Sequence, residues 1–114
     1  MPKPEHEFFE AARVPRTSVN GVPGLYERIL ARDPDTGDYT RILELEPGCN
    51  TSAMGAQIHD FWEEVWIISG AFHDLTLGQT FTAGMYACRP PGMPHGPWRS
   101  EAGCTTFEIR YYRK

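Results

Sequence analysis

The sequence lacks long hydrophobic runs and any sign of a targeting segment. Its longest purely apolar run is Val65 to Ile68, and the opening MPKPEHEFFE contains prolines and acids where a signal peptide needs an apolar core. A membrane-spanning helix needs about 20 apolar residues. We therefore expect a cytoplasmic protein with no membrane partner.

Positive charge is also scarce. The chain has 11 Lys and Arg against 15 Asp and Glu, which gives a formal net charge of −4, and its basic residues are scattered. Binding to a phosphate backbone requires a basic face. The composition therefore argues against a nucleic-acid partner.

Cysteine is rare, and the cysteines are not arranged as a motif. The three residues, Cys49, Cys88 and Cys104, are odd in number and widely spaced, and no C-x-x-C occurs. A disulfide framework or a cysteine-based metal site would need a different pattern. Reduced thiols in a reducing compartment fit this sequence best.

The length of 114 residues fits one domain, and the 10 prolines and 11 glycines favour short elements and many turns. Four prolines fall within residues 1–23, which predicts an irregular N-terminal arm around a possible short helix, Glu5 to Ala12. Residues 24–114 should form the folded domain. Roughly eight short strands follow one another there, at 25–30, 39–46, 52–59, 64–70, 71–77, 79–83, 85–89 and 105–112. This spacing is typical of an all-β antiparallel sandwich or barrel.

Alternation along the strands predicts which side chains face inward. In 39–46, Arg41 should face inward together with Leu43 and Leu45. An inward arginine either snorkels at the barrel rim or meets an anionic or carbonyl ligand in the cavity. In 105–112, Glu108 and Arg110 should face outward, which would turn Phe107, Ile109 and Tyr111 inward.

The stretch QIHDFWEE, residues 57–64, concentrates candidate functional groups. On a strand, Gln57 and His59 would share one face. Glu63 should point into the cavity with Val65, whereas its neighbour Glu64 must face the other way. The two glutamates therefore cannot act as a catalytic carboxylate pair.

A second histidine, His95, follows the stiff turn PPGMP, which leaves it little conformational freedom. Two imidazoles and a carboxylate, supplied by His59, His95 and Glu63, suit a divalent ion such as iron(II), zinc or manganese. The alternative is that the two histidines are simply hydrogen-bonded at the barrel ends.

These residues resemble the two sequence motifs of the cupins. The second motif, G-x5-P-x-G-x2-H-x3-N, fits from Gly84 through Pro90 and Gly92 to His95, with Arg99 at the final position. The resemblance implies a single jelly-roll cupin β-barrel with an irregular N-terminal arm.

The first cupin motif ends in H-x-H-x3-E-x6-G, and here Gln57, His59, Glu63 and Gly70 take its four positions. The resemblance implies that His59, Glu63 and His95 bind one divalent metal ion. Gln57 replaces a ligand histidine, and it would bind the ion directly, bind it through water, or hydrogen-bond a bound water.

A narrower likeness is to single-domain cupins related to the ChrR-type anti-sigma domain and to acetylacetone-cleaving dioxygenases. The segments GAFHD, GMY, PPGMPH and GC match the pattern G-x-F-x-D, G-x-Y, P-x-G-x-x-H and G-C that recurs in them. The resemblance favours a dioxygenase-like or isomerase-like enzyme acting on a small carbonyl compound. A metal- or ligand-binding sensor, and a remnant that has lost its metal through Gln57, are the alternatives.

The same reasoning gives expectations for a substrate pocket and for assembly. Phe107 and Arg41 should line the pocket, and Trp98 would either narrow its mouth or pack as an ordinary core residue. Trp66 and Ile68 should face outward beside the site strand. They would suit the interface of a homodimer.

Overall fold

The computed structural model describes residues 2–112, and within them the protein consists of nine β-strands and two short 3-10 turns. The strands are β1 Thr17–Ser18, β2 Leu25–Arg32, β3 Tyr39–Leu45, β4 Cys49–Asn50, β5 Trp62–Asp74, β6 Gln79–Thr82, β7 Tyr86–Arg89, β8 Trp98–Ser100 and β9 Cys104–Tyr111. The 3-10 turns are Ala11–Arg13 and Ser52–Met54. The all-β prediction is confirmed. None of the elements between residues 2 and 112 is a helix of the length and apolar character that crossing a bilayer requires.

All strand pairs are antiparallel, and the strand order is β1-β2-β3-β9-β5-β8-β4, with β6 and β7 also paired with β5. The first half of β5 pairs with β9 and β7, and its second half pairs with β6 and β8. One strand therefore joins both parts of the sheet, which curls around a shared interior.

The long strand β5 depends on one glycine. Gly70 has φ of +78°, and a Cβ atom there would lie 2.1 Å from the carbonyl oxygen of Gly103. A side chain at this position would collide with the neighbouring backbone, so glycine is required. The register against β9 also shifts between Ile67 and Ser69. The prediction of two separate strands, 64–70 and 71–77, is wrong, because they form one continuous strand that changes partners near Gly70.

Two other predicted elements are wrong. Residues 52–59 form a 3-10 turn and an irregular segment, because the Asn50 Oδ1 atom accepts a hydrogen bond from the Ser52 backbone N–H at 2.8 Å and turns the chain. The helix expected at Glu5 to Ala12 is reduced to the turn Ala11–Arg13. The arm has no buried face that would stabilise a short helix, and Phe8 is fully exposed.

The N-terminal arm is attached to the sheet. β1 lies inside the predicted arm and pairs with β2, and Arg28 Nη1 donates hydrogen bonds to the carbonyl oxygens of Ala12 and Val14. The boundary between residues 1–23 and 24–114 stays a prediction, and residues 1, 113 and 114 lie outside the described part of the chain.

Strand pairing decides which side chains enter the interior. Arg41 is buried with Leu43 and Leu45, as predicted for β3. Arg41 lies directly opposite Glu108 in the β3–β9 ladder, and opposed residues share a face, so Glu108 is buried too. The predicted phase of β9 is therefore wrong. Phe107 is half-buried on the other face of the sheet.

The interior has an apolar end and a polar end. The apolar core contains Val22, Leu25, Leu43, Leu45, Cys49, Ile67, Phe72 and Cys104. Along β3 the inward side chains change from Leu45 to Arg41, and along β9 they change from Cys104 to Glu108. The polar end of the interior holds the candidate site.

Candidate metal centre

Three of the predicted residues meet at the polar end of the barrel. The ligand atoms offered by His59, Glu63 and His95 all lie within 4.8 Å of one another, and His95 Nε2 lies 3.7 Å from Glu63 Oε1. Glu63 stands at the start of β5, and both histidines come from loops. Residues distant in sequence are thus brought together as predicted.

Backbone hydrogen bonds join the two loops. The Gln57 N–H donates to the His95 carbonyl oxygen at 2.7 Å, and the His95 N–H donates to the Gln57 carbonyl oxygen at 2.9 Å. The Gly92 N–H also donates to the carbonyl oxygen of His59 at 2.8 Å. These contacts set the positions of both imidazoles relative to Glu63.

The imidazole of His95 has one nitrogen near a backbone carbonyl and one facing the cluster. Its Nδ1 atom lies 3.3 Å from the Met93 carbonyl oxygen, which accepts a hydrogen bond when Nδ1 carries the proton. Its Nε2 atom is buried and has no hydrogen-bond partner among the described residues. Burial, and then the nearby charge of Arg89, lower the pKa of His95, which favours the neutral imidazole.

His59 is also held as a neutral imidazole. Its ring stacks on Phe61 with a centroid separation of 4.4 Å and lies 4.9 Å from the ring of His95. Partial burial, and then Arg110, lower the pKa of His59. Neutral imidazole is the form that binds a metal ion.

Glu63 carries the negative charge of the cluster, and its side chain is 3% exposed. Arg89 Nη1 donates to Glu63 Oε1 at 2.9 Å. Arg110 Nε lies 2.6 Å from Glu63 Oε2 as an ion pair that does not meet hydrogen-bond geometry. Two guanidinium groups therefore surround the carboxylate.

These pairs continue into a network across the interior. Arg41 Nε donates to Glu108 Oε1 at 2.8 Å, and Arg41 Nη1 donates to Glu27 Oε1 at 2.7 Å. Arg110 Nη2 lies 3.7 Å from Glu108 Oε1. Arg41 is 6% exposed and so does not snorkel, and its contact with a ligand stays a prediction. Burial works to lower the pKa of Arg41, but the facing Glu108 raises it above its ordinary value.

Gln57 lies beside the cluster but not on a strand. Its Nε2 atom donates to the Met54 carbonyl oxygen at 3.1 Å, which assigns the amide orientation and leaves Oε1 as its acceptor atom. The side chain lines a small polar cavity together with His59, Glu63 and His95. A direct bond from Gln57 to an ion stays a prediction.

Two cavities meet at His95. The first, called the polar cavity because it contains the charged cluster, measures about 110 Å³ and has Arg41, Glu108, Arg110, Trp98 and also apolar residues such as Leu43 in its wall. The second is an apolar chamber of about 340 Å³ whose wall includes Val65, Ile67, Phe72 and Ala87. Phe107 lines neither cavity, so the expectation that it faces the pocket is wrong. Trp98 lines the polar cavity and stacks on the His95 ring at 5.3 Å.

Sequence reasoning missed the roles of Arg89, Arg110 and Glu108. A signal was present, because a buried Arg41 requires a counterion on a neighbouring strand. The alternating apolar residues of β9 indicate the wrong inward face and so obscure this signal. Their alternation predicts Phe107, Ile109 and Tyr111 as the inward set, although all three are half-buried on the other face of the sheet.

Comparison with known proteins identifies the family to which this architecture belongs. A family model described as the ChrR Cupin-like domain matches residues 8–111. No curated protein matches the chain.

Solved structures share the fold. An RmlC-like cupin from Shewanella frigidimarina superposes with a TM-score of 0.76 at 19% identity, over 100% of this chain and 96% of that chain. An acetylacetone dioxygenase from Acinetobacter johnsonii superposes with a TM-score of 0.74 at 16% identity, over 95% of this chain and 75% of that chain. The Rhodobacter sphaeroides complex of SigE with the anti-sigma ChrR superposes with a TM-score of 0.65 at 20% identity, over 88% of this chain and 50% of that chain. The predicted cupin fold is confirmed.

Proposed function

The chain belongs to the ChrR cupin-like domain family, and from that premise we propose that it is a metal-dependent enzyme acting on a small carbonyl-type molecule. The proposal rests on one observation above all. His95 Nε2 is buried without a hydrogen-bond partner in residues 2–112 and lies 3.7 Å from Glu63 Oε1.

The dimensions of the cluster fit one divalent ion. Ligand bonds of about 2.1 Å at tetrahedral angles place two ligand atoms about 3.4 Å apart. The 3.7 Å separation of His95 Nε2 from Glu63 Oε1 is close to that value. The ligand atoms of the three residues all lie within 4.8 Å of one another, so side-chain movements of about an ångström would complete the set.

The donor atoms suit iron(II), zinc or manganese, and they do not select one of the three. His59, His95 and Glu63 would hold the ion, with Gln57 as a fourth ligand or as a hydrogen-bond partner of bound water. When bound, the ion would supply Lewis-acid polarisation of a carbonyl or enolate oxygen.

The protein's own groups would orient the reactants. Glu63 is positioned from two sides by Arg89 and Arg110. The same guanidinium groups add positive charge beside the cluster, which favours a substrate oxygen that bears or develops negative charge. Phe61 and Trp98 stack on the imidazoles and reduce the access of water. The acetylacetone dioxygenase among the similar structures supports a small dicarbonyl compound as the first substrate class to test.

A sensor is the second candidate, and the arginine contacts of Glu63 favour it. Since Arg89 and Arg110 neutralise this carboxylate, the metal-free protein contains no uncompensated buried charge at the centre. A stable metal-free state would allow reversible occupancy, as a sensor requires. The ChrR structure solved with SigE supports a protein partner for such a role.

We also propose a homodimer in the cytoplasm. Trp66 and Ile68 are exposed on the outer face of β5. A patch of this composition suits contact with a second copy. The three free cysteines suit a reducing compartment.

Turnover separates the enzyme from the sensor. Protein loaded separately with iron(II), manganese or zinc is mixed with small 1,3-dicarbonyl compounds, and oxygen uptake and substrate loss are followed. The enzyme proposal predicts multiple turnovers with at least one ion and none with His95→Ala. Stoichiometric metal binding with no substrate loss for any ion would instead support the sensor.

A further inference from the structure

The larger of the two cavities lined by His95 is the apolar chamber. Its volume of about 340 Å³ is within the range of pockets that bind small organic molecules. Its inner wall is formed by the buried side chains of Val65, Ile67 and Phe72. The chamber therefore extends from the solvent to the core.

The entrance of the chamber is apolar as well. Leu77, Met85, Tyr86 and Met93 line it and are all exposed. Two of them are methionines, whose flexible thioether side chains adapt to ligands of different shape. Exposed apolar side chains around an apolar cavity indicate an entry path for an apolar group.

The polar cavity is too small to hold a whole organic substrate. Its volume of about 110 Å³ is one third of the chamber's and below the usual size of ligand pockets. Each water molecule occupies about 30 Å³ in the liquid. The polar cavity therefore has space for a few waters or for the polar end of a molecule.

His95 joins the two cavities, since it lines both of them. Arg89 lines the chamber and its Nη1 atom donates to Glu63 Oε1 at 2.9 Å, so this side chain connects the chamber wall to the candidate centre. A guanidinium has five N–H donors, and only one of them is needed for this bond.

Asp74 is the acidic residue of the chamber wall, and its carboxylate is turned to the backbone. Its Oδ1 atom accepts hydrogen bonds from the Thr76 and Leu77 N–H groups, each at 2.9 Å. Arg89 is thus placed to select the polar end of a ligand, and it favours a carboxylate or enolate oxygen.

We propose that the chamber binds the apolar body of a small amphipathic organic anion, with its oxygen held by Arg89 beside His95. The placement of the oxygen at a reacting centre rests on the proposed function. The binding of the apolar body to the chamber does not. The substrate class is therefore aryl or branched-alkyl carboxylates and enolisable ketones, rather than polar sugars.

The test uses 2-naphthoate as a probe and the full-length protein treated with chelator. Saturable binding is measured by calorimetry, and 2-naphthalenemethanol serves as the neutral analogue. We expect one site per chain and at least tenfold weaker binding of the alcohol. Absence of saturable binding, or equal affinity for both probes, would overturn the proposal.

Two substitutions on β7 localise the binding. Ala87→Phe fills the chamber, whereas Cys88→Phe adds the same group on the opposite, exposed face of the strand. We expect Ala87→Phe to weaken 2-naphthoate binding at least tenfold and Cys88→Phe to change it less than twofold. Equal effects of the two variants would place the probe elsewhere and overturn the assignment.

A second pair of variants tests the same site if Ala87→Phe does not fold. Leu77 is exposed at the entrance, so Leu77→Glu and Leu77→Lys leave the core intact. The glutamate should weaken binding of the anionic probe at least threefold relative to the lysine. Equal affinities of the two Leu77 variants for the probe would contradict entry of the ligand through this entrance of the chamber. Because all of these measurements use metal-free protein, a failure of metal binding leaves their outcome unaffected.

Discussion

Arg110 places its Nε atom 2.6 Å from the Oε2 atom of Glu63, so a cation of the protein itself already faces the carboxylate of the candidate metal centre. Arg89 contacts the other oxygen of the same carboxylate. A divalent ion at this site therefore meets two like charges at close range. Its affinity should be set by that repulsion as much as by its ligands.

Removal of one arginine should strengthen metal binding. In Arg110→Gln the charge beside Glu63 is lost, and we expect the affinity for zinc or manganese to rise at least tenfold. Competition against a fluorescent chelator measures the change. Arg99→Gln is the control, because Arg99 lies on β8 and is half-exposed. An unchanged affinity in Arg110→Gln would show that the ion pair does not oppose metal binding.

Gln57 should also limit the affinity for a metal ion. A neutral amide oxygen is a weaker ligand than imidazole for zinc, so Gln57→His should tighten zinc binding at least tenfold in the same competition assay. Gln57→Ala provides the comparison, since it removes the amide without adding a ligand. If the histidine variant gains nothing over wild type, position 57 does not face the ion.

The buried pair of Arg41 and Glu108 should make stability depend on pH. Burial works to raise the pKa of Glu108, but Arg41 and Arg110 lower it below its ordinary value. Its contribution is therefore complete above the unfolded-state pKa of about 4.3, and it is lost as the pH falls through the lower folded-state value.

Urea unfolding at a series of pH values checks this expectation. Glu108→Gln should lose about 3 kcal/mol of unfolding free energy at pH 7, because it leaves Arg41 buried with one partner fewer. Its stability should also fall less steeply below pH 4.3 than that of the wild type. Parallel pH profiles of the two proteins would contradict the assignment of this titration to Glu108.

The exposed apolar patch formed by Trp66 and Ile68 on β5 should determine the oligomeric state. The proposed homodimer has twice the 12.9 kDa mass of the chain. We expect light scattering to give that doubled mass, and Trp66→Lys to halve it by placing a charge in the apolar interface. Leu77→Lys is an exposed control outside the patch. A monodisperse monomer for the wild-type protein would refute the proposal.

The sequence was informative where local chemistry alone decides the structure. Gly70 could be recognised by its spacing in the first cupin motif, and His95 because prolines precede it. Glu63 and Glu64 were separated correctly by strand alternation.

The errors arose where pairing between distant strands decides the structure. Phe107 was predicted to face inward because its apolar neighbours alternate, but the β3–β9 register places Glu108 opposite Arg41 and reverses the phase. Likewise, the partner change of β5 near Gly70 depends on β6 and β8. Local alternation contains no information on register, so the arginine contacts of Glu63 could not be derived from it.

The central claim is that His59, Glu63 and His95 bind one divalent ion, and direct titration tests it most sharply. Chelator-treated protein is titrated anaerobically with iron(II), zinc and manganese, for the wild type, His95→Ala and the control His6→Ala, whose imidazole lies in the exposed arm. We expect one ion per chain for the wild type and His6→Ala, and at least hundredfold weaker binding for His95→Ala. No stoichiometric binding, or equal affinity in all three proteins, would contradict it.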